Sequence, residues 1–107
     1  MYDSIAKEFL ASIEARLVRK DPSTSGFDTC FAKFGLVDHD GDLTEQGAVY
    51  YMAANNASEI YFEGMIAIDK DNSLTVGERL SAKIAVIDEF DNMLDELRAT
   101  IAYDLAM

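Results

Sequence analysis

The sequence predicts a mainly α protein: one compact domain over residues 1–107, built from four helices and ending in a long C-terminal helix, with room for one short β pairing. Three observations lead to this fold class. Apolar residues recur every three or four positions along most of the chain. Threonines precede two of the periodic segments, where helix N-caps belong. Half of the 107 residues are hydrophobic, which is enough to fill the core of a single domain.

The first helix is predicted from an apolar residue at every fourth position, starting at Ile5 and ending at Leu17. Asp3 or Ser4 can cap its start. The dipeptide Asp21-Pro22 is expected to end it, because proline disfavours helical backbone at the preceding residue. Residues 23–26 are typical of a loop.

A second, short helix is predicted where Phe27, Cys30, Phe31 and Phe34 fall at the spacing of one helical face. Gly35 follows where a left-handed C-cap residue belongs. Because Cys30 shares that apolar face, we expect it to be a small core residue.

A third helix is predicted over roughly residues 45–63, with Thr44 as its N-cap. Gly64 stands where a C-cap would end it. Residues 65–68 are apolar and form either a short strand or a buried linker.

The fourth helix starts at a capping box formed by Thr75 and Glu78 and would be about 45 Å long if unbroken over about 30 residues. Counting heptads from Leu80 gives an apolar seam at positions 80, 84, 87, 94, 101 and 105, interrupted by Asp91 and Arg98. Alternatively the helix is straight, and its apolar stripe drifts toward positions 90 and 97.

The charge balance is strongly acidic. Twenty Asp and Glu residues stand against nine Lys and Arg residues, for a net charge of -11. This charge excludes an ordinary nucleic-acid-binding protein, which needs a positive surface, and argues against binding to anionic membranes. Residues 1–26 are neutral overall, so residues 27–107 carry the whole excess.

The cysteine count and the hydropathy pattern favour a cytoplasmic protein. Cys30 is the lone cysteine, so no internal disulfide can form. The first residues have neither the basic region nor the apolar run of a signal peptide, and no apolar stretch approaches the length of a membrane helix.

Two acidic turns, at residues 37–44 and 68–75, share the pattern apolar-Asp-x-Asp-x-x-Leu-Thr. The first resembles an EF-hand loop, because Asp38, Asp40 and Asp42 cluster in it. Each copy lacks a ligand that an EF-hand requires, since Leu36 and Ala67 occupy the first loop position. We therefore expect Asp-rich turns before N-capped helices and no metal site, with a degenerate EF-hand-like calcium-binding protein as an alternative.

The string from Gly35 to Gly47 is similar to the GLV-x-x-DG-x-LT-x-x-G corner seen in many small winged-helix domains. The basic recognition helix that such domains use is missing. The resemblance therefore implies no DNA binding.

Catalysis is not expected, and neither is a cofactor. The chain has one His and one Cys, and it lacks the HExxH, CxxC, Walker and GxSxG motifs. Its many carboxylates are too numerous to single out an acid–base pair.

The acidity predicts a protein that binds a basic surface of another protein, and we expect that partner to bind nucleic acid itself. Asp88, Asp91 and Asp95 share one helical face, and the expected binding residues are Asp88, Glu89, Asp91, Asp95 and Glu96. In charge and size the chain resembles the acidic inhibitors that phages and mobile elements direct against restriction or CRISPR machinery. That resemblance implies a charge-mimic inhibitor or modulator of similar origin.

The competing hypothesis is a structural or assembly module. Here the long fourth helix pairs with the same helix of a second copy, through Leu94, Ile101, Leu105 and Tyr103. The protein would then be a homodimer.

Overall fold

The computed structural model describes residues 2–20 and 23–107, and its fold is mainly α, as predicted. In chain order it contains α1 (Asp3–Val18), a 3-10 helix (Thr29–Phe34), α2 (Glu45–Lys70) and α3 (Val76–Ala106). The predicted stop at Asp21-Pro22 lies outside the described residues.

Helix α1 buries the predicted apolar stripe, with Phe9 and Ile13 fully inaccessible to solvent. The prediction that Asp3 or Ser4 caps it is wrong. Tyr2 holds the N-cap position without a capping side chain, and Asp3 lies inside the first turn, where its charge suits the helix dipole.

The second helix is a 3-10 helix rather than an α-helix. Asp28 caps it by accepting a hydrogen bond from the Cys30 amide at 2.9 Å, and Gly35 ends it in the left-handed conformation, as predicted. The expectation that Cys30 is a core residue is wrong, because its side chain is exposed. With three residues per turn, Cys30 leaves the face on which Phe31 is buried.

The corner after the 3-10 helix contains the short β pairing, a single antiparallel bridge between Val37 and Leu43. Thr44 then caps α2 by accepting a hydrogen bond from the Gly47 amide at 3.1 Å, as predicted. A Cβ at Gly47 would stand 2.1 Å from the Leu36 carbonyl oxygen, so only glycine lets α2 begin this close to the corner.

Helix α2 continues through Gly64 to Lys70, so the prediction of a C-cap at Gly64 is wrong. Residues 65–68 are helical, which overturns both the strand and the linker interpretation. A Cβ at Gly64 would lie 3.2 Å from a Val86 methyl, so this glycine allows close packing against α3. Tertiary contact here outweighs glycine's low helix propensity.

Helix α3 is unbroken over 31 residues, and its capping box between Thr75 and Glu78 is confirmed. The turn before it is held by Arg79, whose guanidinium donates to the carbonyl oxygens of Ile68 and Asp71. Those carbonyls end α2, so one arginine links the end of α2 to the start of α3.

The three α-helices differ in length, and this divides the molecule into two parts. Helix α1 runs alongside α2 and antiparallel to α3, but it has 16 residues against 26 and 31. We call residues 58–93, most of which extend beyond the end of α1, the distal hairpin, and the other described residues the base. The extents of 52 × 27 × 16 Å reflect this projection.

The buried core lies in the base. Phe9 packs against Phe27 and Phe31 with ring centroids 6.0 and 5.3 Å apart. The Arg16 guanidinium lies 3.7 Å from the Phe27 ring centroid and closes the core beside it. The core cluster contains Ala6, Phe9, Leu10, Ile13, Phe27, Phe31, Leu36, Val37, Tyr50, Ala54 and Ile101.

Candidate protein-interaction surfaces

Helix α3 carries two apolar faces. One faces α2. There the Phe90 ring packs against the Tyr61 ring at a centroid distance of 5.0 Å, and the Val86 side chain packs beside Gly64. The other faces α1 and contributes Ile101, Leu94 and Leu105 to the core of the base. Both stripes considered from the sequence therefore exist, each with its own neighbour.

The face of α3 that α1 covers in the base is uncovered in the distal hairpin. The heptad that contains Leu94 and Ile101 continues backward through Ile87, Ile84 and Leu80. These three side chains are 40%, 49% and 60% exposed, whereas Ile101 is fully buried. The covering helix simply ends too early to reach them.

Helix α2 supplies the other wall of this uncovered strip. Phe62 lines a cavity of about 300 Å³ together with Leu17 and Lys20, which places it on the side of α2 that faces α1. Ile66, four residues further on, is rotated away from the α3-facing side of α2 that Tyr61 and Gly64 define. We call the surface formed by Phe62 and the uncovered face of α3 the open groove; its apolar residues are Phe62, Val76, Leu80, Ile84 and Ile87, and each is 40–86% exposed.

Other exposed apolar side chains lie outside the open groove. Val49, Met52 and Ile60 are 55%, 63% and 50% exposed, on the side of α2 turned away from α1. Ile60 borders a shallow pocket with Met93. The residues of the open groove, in contrast, lie on the sides of α2 and α3 that turn toward α1 in the base.

The base end of the open groove carries two basic side chains, with Glu59 beside Lys20. Arg19 and Lys20 follow the last residue of α1, and both are exposed. The Arg19 Nε donates to the Ala15 carbonyl oxygen at 3.2 Å. Cations at this position also suit the negative end of the α1 dipole.

The opposite end of the open groove, the hairpin tip, carries acidic and basic side chains together. Hydrogen bonds from Thr75 lower the pKa of Glu78, against the opposing effects of partial desolvation and the charge of Asp71. Hydrogen bonds from Ser73, and then the charge of Arg79, lower the pKa of Asp71, and Lys83 pairs with Asp69.

All five acidic residues predicted to bind a partner are exposed. Asp88, Asp91 and Asp95 lie on one face of α3, while the other two project roughly 90° around the helix. Asp95 forms a 3.3 Å ion pair with Arg98. Partial burial, and then the charge of Asp91, raise the pKa of Glu14 on α1, so the acidic surface extends across the α1–α3 boundary. The predicted binding residues are Asp88, Glu89, Asp91, Asp95 and Glu96.

Three of the four residues of the predicted dimer seam pack in or against the core of the base. Ile101 is fully buried, and Leu94 and Leu105 pack against the same core. Tyr103 is 65% exposed but lies on another face of α3. The covered part of the heptad meets α1, so only its distal part is available to another chain.

The Asp-rich turn places carboxylate oxygens of Asp38, Asp40 and Asp42 within 4.8 Å of one another. Asp38 Oδ1 accepts hydrogen bonds from the amides of Asp40 and Asp42 at 2.8 and 3.0 Å. This carboxylate therefore stabilises the turn. The second acidic turn does not repeat this geometry, because Asp69 lies within α2 and forms a 2.7 Å ion pair with Lys83.

Two further polar groups were candidates for chemistry. Partial desolvation, followed by the hydrogen bond and charge of Asp28, raises the pKa of the Cys30 thiol, which disfavours the reactive thiolate. Tyr50 is buried and donates a hydrogen bond to Asp104 while accepting one from Gln46. Burial and the Asp104 contact raise its pKa to about 12, so the phenol stays protonated and ties α2 to α3.

The sequence pattern indicated only the α3 side of the open groove. The heptad count included Leu80, Ile84 and Ile87, but it treated the stripe as uniform along α3. Phe62 lies inside the predicted third helix, but neither its spacing nor that of the α3 residues shows which neighbour they would meet. Only the relative lengths of α1 and α2 show that these side chains are uncovered.

Within the described part of the chain, no helix combines the length and apolar character needed to cross a membrane. We found no match to this chain among protein families, curated proteins or solved structures. The surfaces described above are therefore interpreted from their own geometry and chemistry.

Proposed function

We propose that this protein is a non-enzymatic assembly module, in which two copies associate through their open grooves. The observation that carries the proposal is the apolar strip left uncovered where α1 ends. Five large apolar side chains are exposed there, on two helices that already pack on each other. Contiguous apolar surface of this kind is characteristic of protein–protein contact sites.

The area of the open groove supports a second copy as its occupant. The exposed parts of its side chains amount to roughly 550 Å² per chain, or ~1,100 Å² for a pair, close to the lower limit of about 1,200 Å² that specific interfaces bury. Two distal hairpins placed face to face would form a four-helix bundle, a stable arrangement for helices with one uncovered apolar face. A cytoplasmic location, favoured by the lone cysteine, belongs to the same proposal.

Sedimentation velocity from about 1 to 100 μM tests this proposal, since affinities in this range are common for small interfaces. We expect the unmodified chain to dimerise and a Leu80→Glu/Ile84→Glu variant to stay monomeric. The double charge would be buried without a partner in the dimer and hydrated in the monomer. Far-UV circular dichroism checks that the variant keeps its helices.

The matched control is Val49→Glu/Met52→Glu, which alters side chains of comparable exposure outside the open groove. This variant should dimerise like the unmodified chain. A chain that stays monomeric throughout the concentration range would overturn the proposal. Equal loss of association in both variants would also overturn it.

A second candidate function keeps the acidic surface of α3 as a docking site for a basic partner protein, acting as a charge-mimic inhibitor or modulator of phage-like origin. The observation that favours it is the exposure of Asp88, Asp91 and Asp95 on one face, extended by Glu14. The Arg98 ion pair partly neutralises this face.

The test of the second candidate uses protamine as a defined basic probe. Isothermal titration should show binding that weakens as salt rises from about 0.05 to 0.5 M, because screening shortens the range of charge attraction. Asp88→Asn/Asp91→Asn should weaken binding more than Glu45→Gln/Glu59→Gln, which removes two exposed charges from α2. Equal effects of the two pairs would indicate only nonspecific attraction and would reject the α3 site.

A further inference from the structure

We infer that the cavity between α1 and α2 binds a small carboxylate with an apolar body, and that this ligand supplies the counter-ion of Arg16. The cavity has a volume of about 300 Å³ and lies where the end of α1 meets the middle of α2. Residues of a single chain form it. The inference therefore does not depend on the proposed dimer.

Arg16 is a nearly buried cation that has no carboxylate partner among the described residues. Its guanidinium lies 3.7 Å from the Phe27 ring centroid and donates one hydrogen bond, from Nη1 to the Ser23 carbonyl oxygen at 3.3 Å. Every fully inaccessible side-chain nitrogen in this part of the chain has a hydrogen-bond partner, so Nε and Nη2 of Arg16 remain in contact with solvent. Buried charges in proteins are normally paired, and a carboxylate from outside would complete this one.

A second cation makes the cavity attractive to an anion, although the chain as a whole is acidic. Lys20 lines the cavity together with Arg16, and Glu59 contributes one carboxylate. That carboxylate accepts a hydrogen bond from the Asn55 amide at 3.3 Å, and the structure shows no ion pair between it and the two cations. The lining thus carries two positive charges and one negative charge, which favours a singly charged anion.

The remaining wall of the cavity suits an apolar body. Leu17 on α1 and Phe62 on α2 line it, and the Phe62 side chain is 49% exposed. A ring packed between them would remove apolar surface from water. Asn55 and Ser58 add hydrogen-bonding groups beside the apolar wall. Ligand sites between helices commonly combine these features, and a volume at the lower limit for such sites indicates a small ligand.

The probe that tests the inference is 3-phenylpropionate, whose carboxylate and ring represent the two halves of the expected ligand. Titration at constant ionic strength should shift the amide NMR signals of residues 14–20 and 51–62, with a Kd of about 1 mM for a ligand of about ten non-hydrogen atoms. Two matched probes separate the contributions, because 3-phenylpropanamide lacks the charge and acetate lacks the ring. We expect each of them to bind about tenfold more weakly.

Variants locate the charge contribution. Lys20→Asn removes the second cation, and asparagine suits the left-handed backbone at residue 20. It should weaken 3-phenylpropionate binding about threefold and leave 3-phenylpropanamide binding unchanged. Lys70→Asn, which removes the same charge from the last residue of α2, should bind both probes like the unmodified chain.

Arg16→Met keeps the length of the side chain and removes its charge, so it should abolish the preference for the carboxylate over the amide. Far-UV circular dichroism checks that this variant folds. If it does not fold, the comparison of Lys20→Asn with Lys70→Asn still decides.

Equal binding of 3-phenylpropionate and 3-phenylpropanamide would overturn the inference, and so would signal shifts centred outside the cavity. Equal effects of Lys20→Asn and Lys70→Asn would indicate attraction by net charge alone and would also reject the site. A chain that stays monomeric in sedimentation can still bind the probe, so this inference and the proposed function fail separately.

Discussion

The base and the distal hairpin are built from the same two helices, yet different interactions stabilise them. In the base, α1 and the 3-10 helix cover α2 and α3, and Phe9, Ile13 and Ile101 lose all contact with solvent. In the distal hairpin α1 reaches only the residues nearest the base, such as Phe62 and Asp91, and none of the described residues 58–93 is fully buried. The comparison teaches that a pair of helices needs a third element to bury a core.

The distal hairpin compensates with interactions at its tip. Thr75 and Glu78 form the capping box, Arg79 binds the last carbonyls of α2, and Lys83 pairs with Asp69. Exposed ion pairs and caps each contribute on the order of 1 kcal/mol or less. These contacts define the turn, but they do not replace a core.

The largest difference between the two parts should appear on truncating a phenylalanine in each. Phe9→Ala in the base should lower the free energy of unfolding by about 3–5 kcal/mol, because it leaves a cavity in the core. Phe62 in the distal hairpin is half exposed, so Phe62→Ala should lower the free energy of unfolding of the monomer by less than about 1 kcal/mol. Urea denaturation at low protein concentration measures both, and equal losses would contradict the division into two parts.

A methyl group added at Gly47 should have the next largest effect. Its Cβ would stand 2.1 Å from a backbone carbonyl oxygen that cannot move independently, so Gly47→Ala should cost about 1–3 kcal/mol. Gly64→Ala in the distal hairpin should cost less, because its Cβ would meet only the Val86 side chain at 3.2 Å. Thermal denaturation ranks the two, and a reversed order would refute the close approach at Gly47.

The buried phenol of Tyr50 should make the base sensitive to high pH. Its pKa is raised from 10.0 to about 12, so the folded state holds the proton more tightly than the unfolded state. The stabilisation is therefore complete below pH 10 and is lost as pH rises from 10 to about 12.

Replacement of Tyr50 by phenylalanine isolates this effect. Tyr50→Phe should cost about 1 kcal/mol near neutral pH, because the hydrogen bond to Asp104 is lost. The free energy of unfolding of this variant should also fall less steeply than that of the unmodified protein between pH 10 and about 12. Urea denaturation at several pH values measures the difference, and parallel declines would exclude Tyr50 as the titrating group.

The smallest expected effect is a stabilisation at the start of α3. A Cβ at Gly77 would meet no atom within 4 Å, so Gly77→Ala should raise the free energy of unfolding by about 0.5–1 kcal/mol through helix propensity. Thermal denaturation detects it as a higher midpoint. A lower midpoint would mean that this position tolerates no side chain.

Local signals in the sequence determined where helices begin. Thr44 and Thr75 mark the starts of α2 and α3, and Gly35 marks the end of the 3-10 helix. Each signal works through hydrogen bonds or backbone conformation within about one turn, so it is legible without knowledge of the fold. The apolar positions on both faces of α3 could be predicted from the sequence for the same reason, since periodicity is a local property.

Tertiary structure decided the features that join distant residues. Gly64 lies within a helix because Val86 packs against it, and Arg16 is nearly buried because Phe27 folds over its guanidinium. The open groove depends on α1 ending while α2 and α3 continue. No periodicity encodes that offset, because it arises from how three helices of unequal length align when the core forms around Phe9 and Ile101.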